Sequence, residues 1–354
     1  MALPPTIFVH EFISGGGWPS GQLPKDLTSE GLGMLWSVLS DFRAWGEVRT
    51  VTTLDDRIED QIDGVRHKQL PVDKVVRLSA GNHEGIYRSI LPKSDAVLII
   101  APETNGILAR LTEIAEDARI PLLCSNTSAV KLSSNKAICD RIFRQAGLPT
   151  PATRLTSFAT ASQAANELGF PLVIKPLDGT GCEGVCLVAN SSELDESLAL
   201  LRKVTCHDQI LLQSFIRGTH ASVSLLVTQG RSIPLSLNQQ IIRPGRPFSY
   251  SGGVIPLEHP ASQLAFDLAQ AAVKAIPGLR GYVGVDIILE QDRGWLIEIN
   301  PRITTSYVGL HRILSQNLAC AIWQACREDV LPDRIILNGN IQFSKADSET
   351  WFEE

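Results

Sequence analysis

The chain has 354 residues, 44 % of them hydrophobic and 20 % charged, with a net charge of −6. This balance excludes a disordered chain, and the acidic excess argues against a protein built mainly to grip nucleic acid. No apolar run approaches the roughly 20 residues that cross a bilayer, and no secretory leader order opens the chain, so a cytoplasmic enzyme without membrane or nucleic-acid partners is expected. In chain order, Thr6 to Ile13 reads as a strand ending in Ser14-Gly15-Gly16-Gly17. Leu27 to Trp45 follows as a helix with Leu32, Leu35, Trp36 and Leu39 on one stripe. Val48–Thr53, Ala96–Ala101 and Pro121–Cys124 are further strands, and Ile107–Ala118 a further helix. Such alternation implies an open parallel α/β sheet with ligands at the carboxyl ends of its strands, which makes 11–17 and 102–106 candidate site loops.

From Ser133 the pattern changes. Ser134 to Ala146 reads as a helix closed by Gly147, with Pro149 and Pro151 behind it. Phe170–Pro176 and Val185–Ala189 are strands around a glycine-rich segment, and Ser192–Val204 is an amphipathic helix. Strand-like runs then dominate: Ile210–Ile216, Ala221–Thr228, Ile233–Ile242, Val283–Glu290 and Trp295–Asn300. Gln263–Ala275 is a helix between them, and Tyr307–Cys326 is the last. This half is α+β and largely antiparallel, without an internal repeat. The seven cysteines form no CxxC pair and have no metal-ligand spacing, so buried free thiols are expected.

Three groups of residues carry chemistry. Lys175 ends an apolar strand and is followed by Gly179, Gly181 and Gly184. Glycines can turn backbone N–H groups around an anion while a lysine supplies a point charge, but a β-hairpin with a glycine bulge reads equally well. The P-loop and GxGxxG patterns are both absent. Asp286 lies on one strand, with Glu298 and Asn300 two apart on the next, and hard oxygen donors on apolar strands favour a divalent cation. Arg302 follows as a planar fork for phosphate oxygens. Gln213 to Gly218 ends a buried-looking strand and is, alone, a weak signal for adenine.

In this order, Lys136 after Ser133-Ser134-Asn135, Lys175 with its glycines, Gln213 to Gly218, Asp286 and Glu298-Ile299-Asn300-Pro301-Arg302 resemble the ATP-grasp superfamily over residues 125–345. Val9 to Gly17, Ala101-Pro102-Glu103 and Ser236 to Gln240 resemble a narrower group within it, the tyramine–glutamate ligases of methanofuran biosynthesis. The resemblance implies an N-terminal α/β domain (1–125), a small subdomain with a glycine lid (126–205), a nucleotide and metal subdomain (206–345) and a tail (346–354). It implies that Lys136 and Lys175 contact ATP phosphates, that Gly179, Gly181 and Gly184 close over them, and that Gln213, Ser214 and Ile216 hold adenine. Asp286, Glu298 and Asn300 would carry two Mg²⁺ or Mn²⁺ ions, and Arg302 would stabilise the transferring phosphoryl group.

Two positions depart from the pattern. His220 stands where an acid often binds ribose, and Gly284 where some relatives place an arginine, which leaves Arg302 or Arg243 to supply the charge. Glu11, Ser14, Gly15, Gly16, Glu103, Tyr250, Ser251, Gly252, Thr304 and Ser306 are candidates for binding acid and amine substrates, each with turn chemistry as the plain alternative. The implied reaction is amide formation through an acylphosphate, joining glutamate to an amine such as tyramine or tyrosine, with ADP and phosphate released. A ligase for another amino acid or peptide and a nucleotide-binding module without catalysis are the alternatives. Pairing of the N-terminal domain into a homodimer is also expected.

Overall fold

The computed structural model describes residues 3–58, 70–79 and 81–345, so the tail assigned to 346–354 lies outside the described residues. In the first domain β1 (Thr6–Glu11), β2 (Arg49–Asp55), β3 (Lys74–Leu78) and β4 (Ala96–Ile100) form one parallel sheet in the order β3-β2-β1-β4. Every residue of β4 is buried, as expected for a strand covered on both faces. Helix α1 (Lys25–Trp45) stops at Gly46, whose positive φ of 74° lets its N–H close back on Phe42. Helices α2 (His83–Ile90) and α3 (Ile107–Asp117) complete this layer. The first strand is shorter than expected, because Ile13–Gly17 coils into a wide turn in which the Gly17 N–H donates to the Phe12 carbonyl at 2.7 Å. The strand expected over Pro121–Cys124 is reduced to one bridge between Val97 and Leu122.

The helix expected over 134–146 is α5 (Lys136–Gln145), and a helix that was not expected, α4 (Thr127–Ser134), runs directly into it. Asn135 separates them by capping α5, its side chain accepting from the N–H groups of Ala137 and Ile138 at 3.0 and 3.1 Å. A small antiparallel sheet follows, with β5 (Thr153–Ser157), β6 (Leu172–Pro176), β7 (Cys186–Val188) and β8 (Gln209–Ser214) in the order β5-β8-β6-β7. Helices α6 (Ala161–Leu168) and α7 (Leu194–Arg202) cover it around Ala165, Leu172, Leu201 and Leu212.

The large sheet contains β9 (Thr219–Val227), β10 (Ser232–Arg243), β11 (Ser249–Ile255), β12 (Gly281–Leu289), β13 (Gly294–Asn300) and β14 (Ile341–Ser344), ordered β13-β12-β9-β10-β11-β14. Helix α8 (Ser262–Lys274) covers one face, where Val283, Val285 and Ile299 meet Phe143 and Cys139 of α5. Strand β8 pairs with β5 and β6 in the small sheet, and α5 packs on the large sheet.

The long helix expected over 307–326 is also two, α9 (Ser306–Ile313) and α10 (Leu318–Arg327). Asn317 starts the second by accepting from the Cys320 N–H at 2.8 Å, and Leu314 bridges to Leu337 in the break. Both helices share one apolar core with α1 and the parallel sheet. Buried Asp41 of α1 pins the contact, accepting from the Tyr307 hydroxyl at 2.6 Å and lying 3.2 Å from His311 Nδ1. All seven cysteines are free, and among the described residues no helix is long and apolar enough to cross a membrane.

Candidate active site

The hairpin β12–β13 sets Asp286 directly opposite Glu298. A bulge beside that pair leaves Ile297 unpaired, and bulges of this kind re-aim neighbouring side chains. Asn300 follows on the same face as Glu298. Lys136, held at the start of α5 by the Asn135 cap, reaches Glu298 Oε2 at 2.9 Å and donates to the Gly179 carbonyl at 3.1 Å. Its backbone N–H donates to Leu177 O at 2.9 Å, so one residue fastens both ends of the glycine segment's first half to the carboxylates. Lys175, only 4 % exposed, donates to Gln213 Oε1 at 2.9 Å, and the Gln213 amide donates onward to Thr153 Oγ1 at 2.9 Å.

The electrostatics are those of two buried carboxylates facing two buried ammonium groups. Burial, then the neighbouring Glu298, push the Asp286 carboxyl well above its ordinary range. Burial also works against charge on Glu298, but Lys136 and Lys175 outweigh it and hold its pKa low. Burial pulls Lys175 down to about 8, whereas Lys136 is equally buried yet kept charged by Glu298. The strain between Asp286 and Glu298 is what a divalent cation would relieve. The donor set fits Mg²⁺ or Mn²⁺, because two carboxylates and the Asn300 amide oxygen leave coordination positions for phosphate oxygens and water.

Two cavities meet at this hairpin. The first, of about 850 Å³, lies between the sheets and is lined by Lys136, Lys175, Gly179, Gly181, Gln213, Ser214, Ile216 and His220, among others. Gly184 sits behind it, at a φ of 72° and so close to Val204 that a Cβ would lie 2.6 Å from it. The segment is therefore a folded loop with four positive-φ residues, including Cys182 at 68°, and not a simple hairpin turn. Burial lowers the His220 pKa, so its imidazole is neutral at pH 7 and keeps one acceptor nitrogen. The site of the missing arginine is filled, since a Cβ on Gly284 would stand 2.9 Å from Thr304 Cγ2.

The second cavity, of about 1030 Å³, opens toward the first domain and shares Thr180 to Cys182, Gln240, Ile242, Asp286 and Glu298 with the first. Glu11, Tyr250, Asn300, Arg302, Thr304 and Ser306 line it as well. Arg302 is clamped from the first domain by Glu103, donating through Nε and Nη2 at 2.9 and 3.0 Å, so Glu103 reaches the site through that arginine. Ser14 does not present its N–H to the cavity. Both its N–H and its hydroxyl donate to Glu11 at 2.6 Å, which satisfies the loop internally. Gly15 and Gly16 pack against Thr53, His10 and Leu78. Gly252 and Ser251 are engaged by the last strand, with Gly252 against the Phe343 carbonyl and Ser251 O accepting from Lys345 N. Arg243 is exposed at the end of β10, paired with Ser249, and lines neither cavity.

The wall that α1 gives to the site escapes the sequence reading, as does the role of Gln240. Leu27, Glu30 and Met34 of α1 line the second cavity, and their helical spacing of three and four is the signal that marks one face. Gly31 between them lets α1 approach Glu11, whose carboxylate would lie 2.6 Å from a Cβ there. Gln240 orients Asp286 through a 3.1 Å hydrogen bond.

Known proteins resemble this chain in sequence and in fold. The sequence model described as ATP-grasp domain matches residues 133–306, and that described as pre ATP-grasp 3 domain matches residues 48–130. The tyramine–L-glutamate ligase of Methanocaldococcus jannaschii is 32 % identical over 299 residues, covering 82 % of this chain and 81 % of that protein. An ATP-grasp superfamily protein of Archaeoglobus fulgidus superposes with a TM-score of 0.66 at 24 % identity, covering 96 % of this chain and 99 % of that one. Biotin carboxylase of Campylobacter jejuni superposes with a TM-score of 0.74 at 16 % identity, covering 95 % and 74 % of the two chains.

Proposed function

The chain belongs to the ATP-grasp family and is an ATP-dependent ligase, and from that premise we propose that it joins a glutamate carboxylate to a primary amine such as tyramine or tyrosine. The observation that carries this reading is the meeting of the two cavities at Asp286 and Glu298. ATP in the first cavity would point its terminal phosphate at the hairpin, with the acid and amine approaching from the second.

In the proposed reaction a carboxylate oxygen attacks the γ-phosphorus and ADP leaves. The amine nitrogen then attacks the acyl carbon of the resulting acylphosphate, and phosphate departs as the nitrogen loses a proton. Gln213, Ser214 and Ile216 would hold adenine, and neutral His220 would accept from a ribose hydroxyl. Lys136 and Lys175 would fix the phosphates, and Arg302 would neutralise charge on the group in flight. Bound at Asp286, Glu298 and Asn300, Mg²⁺ would supply charge neutralisation for the phosphate oxygens. The glycine loop, bridging both cavities through Thr180 to Cys182, would keep water from the acylphosphate. Leu27, Met34 and Tyr250 make the second cavity partly apolar, and Glu30, paired with Lys345, and Glu11 add carboxylates to its wall, which suits an amine on an apolar body.

The test is purified protein with ATP, Mg²⁺, glutamate and a panel of amines, read by ADP release and product mass. Amide formation with one ADP per product is expected, and none after chelation of the metal. AMP in place of ADP, or ADP release indifferent to every amine, would sink the proposal. The same panel with glutamate exchanged for other acids separates it from a dipeptide-type ligase.

A further inference from the structure

We propose that the chain carries a second anion site, remote from the active site, that binds small molecules with two or more closely spaced phosphate or carboxylate groups. The site is a groove of about 1800 Å³ between the first domain and the far end of the large sheet. It shares no lining residue with either active-site cavity. Along β9 the active-site end lies near Ser222 and the groove near Thr228, a separation of about 20 Å at the rise of an extended strand.

Five basic side chains from five separate stretches of chain converge there. Arg119 follows α3, Arg231 stands in the turn between β9 and β10, Lys274 ends α8, Arg280 precedes β12 and Arg327 ends α10. Glu116 is the one acidic residue of the lining, and it already accepts from the Thr127 N–H at 3.2 Å. In a chain of net charge −6, this local excess is the reverse of the whole.

Arg231 is engaged by Asp329 and Arg327 lies over the Trp323 ring, but the other three cations are under-used. Among the described residues Arg119 and Lys274 have no ion-pair partner. Arg280 is the most telling: its Nε is buried without a hydrogen-bond partner, and its Nη2 stands 3.8 Å from Asp329, an ion pair too long for a hydrogen bond. A guanidinium has five donors, and leaving them unmade near a desolvated floor costs stability unless something accepts from them. Asp329 is already committed, accepting from the Gln229 N–H at 2.8 Å, and cannot serve all its neighbours. The floor is stitched by Asn126, whose N–H donates to Gly278 O at 3.1 Å, so the cations are presented from a preformed surface. A compact oligoanion matches both the charge and the donor geometry of such a groove. This inference is independent of the ligase chemistry proposed above.

The experiment is calorimetric titration with inorganic pyrophosphate and, separately, citrate, both without divalent metal, of the full chain and of its Lys175→Ala variant, which lacks one of the proposed active-site phosphate contacts. Saturable binding of at least one of the two is expected, and which one binds identifies phosphate or carboxylate as the preferred group. Affinity should fall at least tenfold in Arg231→Glu/Lys274→Glu, and likewise in Arg119→Glu, an exposed position that keeps the Arg280 contact intact. ADP affinity should stay unchanged in both variants, which also certifies that they fold. Absence of saturable binding by both anions, its loss in Lys175→Ala, or equal affinity in the groove variants would each overturn the site.

Discussion

Raising the pH from 7.5 to 9 should strip the charge from Lys175 long before an ordinary surface lysine loses it. Burial lowers its pKa to about 8, and the partner it has, Gln213, is neutral. The sign follows directly: in the proposed role the charged form would grip phosphate, so that grip is present below about 8 and lost above. With that pKa the protonated fraction drops from about three quarters at pH 7.5 to about one tenth at pH 9, whereas a lysine near 10.4 changes by only a few per cent. If bound nucleotide keeps Lys175 charged, its dissociation constant must rise about eightfold across this interval. Lys136 supplies a constant background, since Glu298 holds its pKa above the ordinary value. The assay is ADP binding by calorimetry without metal at half-unit pH steps. Lys175→Arg serves as comparison, because a guanidinium stays charged throughout and should flatten the profile. A wild-type affinity independent of pH, or an equal slope in the arginine variant, would refute the reasoning.

Replacing Arg302 by Lys keeps the charge but loses the fork that meets Glu103 at 2.9 and 3.0 Å. ADP formation in steady-state assays should drop about 100-fold, and a fall under about threefold would remove Arg302 from the phosphoryl chemistry. Glu298→Gln should weaken Mn²⁺ binding, followed by electron paramagnetic resonance, by at least about tenfold, and unaltered affinity would take Glu298 out of the metal set. Gly252→Ala forces a Cβ to within 2.1 Å of Phe343 O at a φ of 140°. About 2 kcal/mol should be lost, read as a lower melting temperature with nucleotide affinity intact, and weaker substrate binding without a melting change would restore Gly252 to the substrate pocket.

The parts of the fold legible in sequence are those with strong periodicity or a paired chemical motif. Ala96–Ile100 is apolar throughout and forms a central parallel strand, and Asp286 and Glu298 do meet across a hairpin. Strands such as β3 and β5 were not expected, because Lys74-Val75-Val76-Arg77-Leu78 and Thr153-Arg154-Leu155-Thr156-Ser157 are largely exposed edges whose only cue is pairing. The break at Asn317 sits inside a continuous amphipathic pattern, and capping by one asparagine overrides the pattern. The N-terminal contribution to the site was legible as glycines but misread in role. Ser14 serves Glu11 in place of a substrate, while the cavity wall comes from Leu27, Glu30 and Met34 on the next helix. The Glu103–Arg302 clamp joins residues 199 apart and has no local signature.

Asp41 bears on how this chain can be rearranged by recombination. It stands on the first helix of the N-terminal domain, yet Tyr307, His311 and Asn317 from near the other end of the chain all bind it. The apolar core around it is common property of both ends. A crossover near residue 125 would therefore separate half a core from its complement, and the incoming piece would have to match α9 and α10 as well as the reaction. The first domain is consequently a poor cassette for exchange as a unit. Point changes at Leu27, Glu30 and Met34, which alter the cavity wall without touching the Asp41 joint, are the open route to reshaping the second cavity.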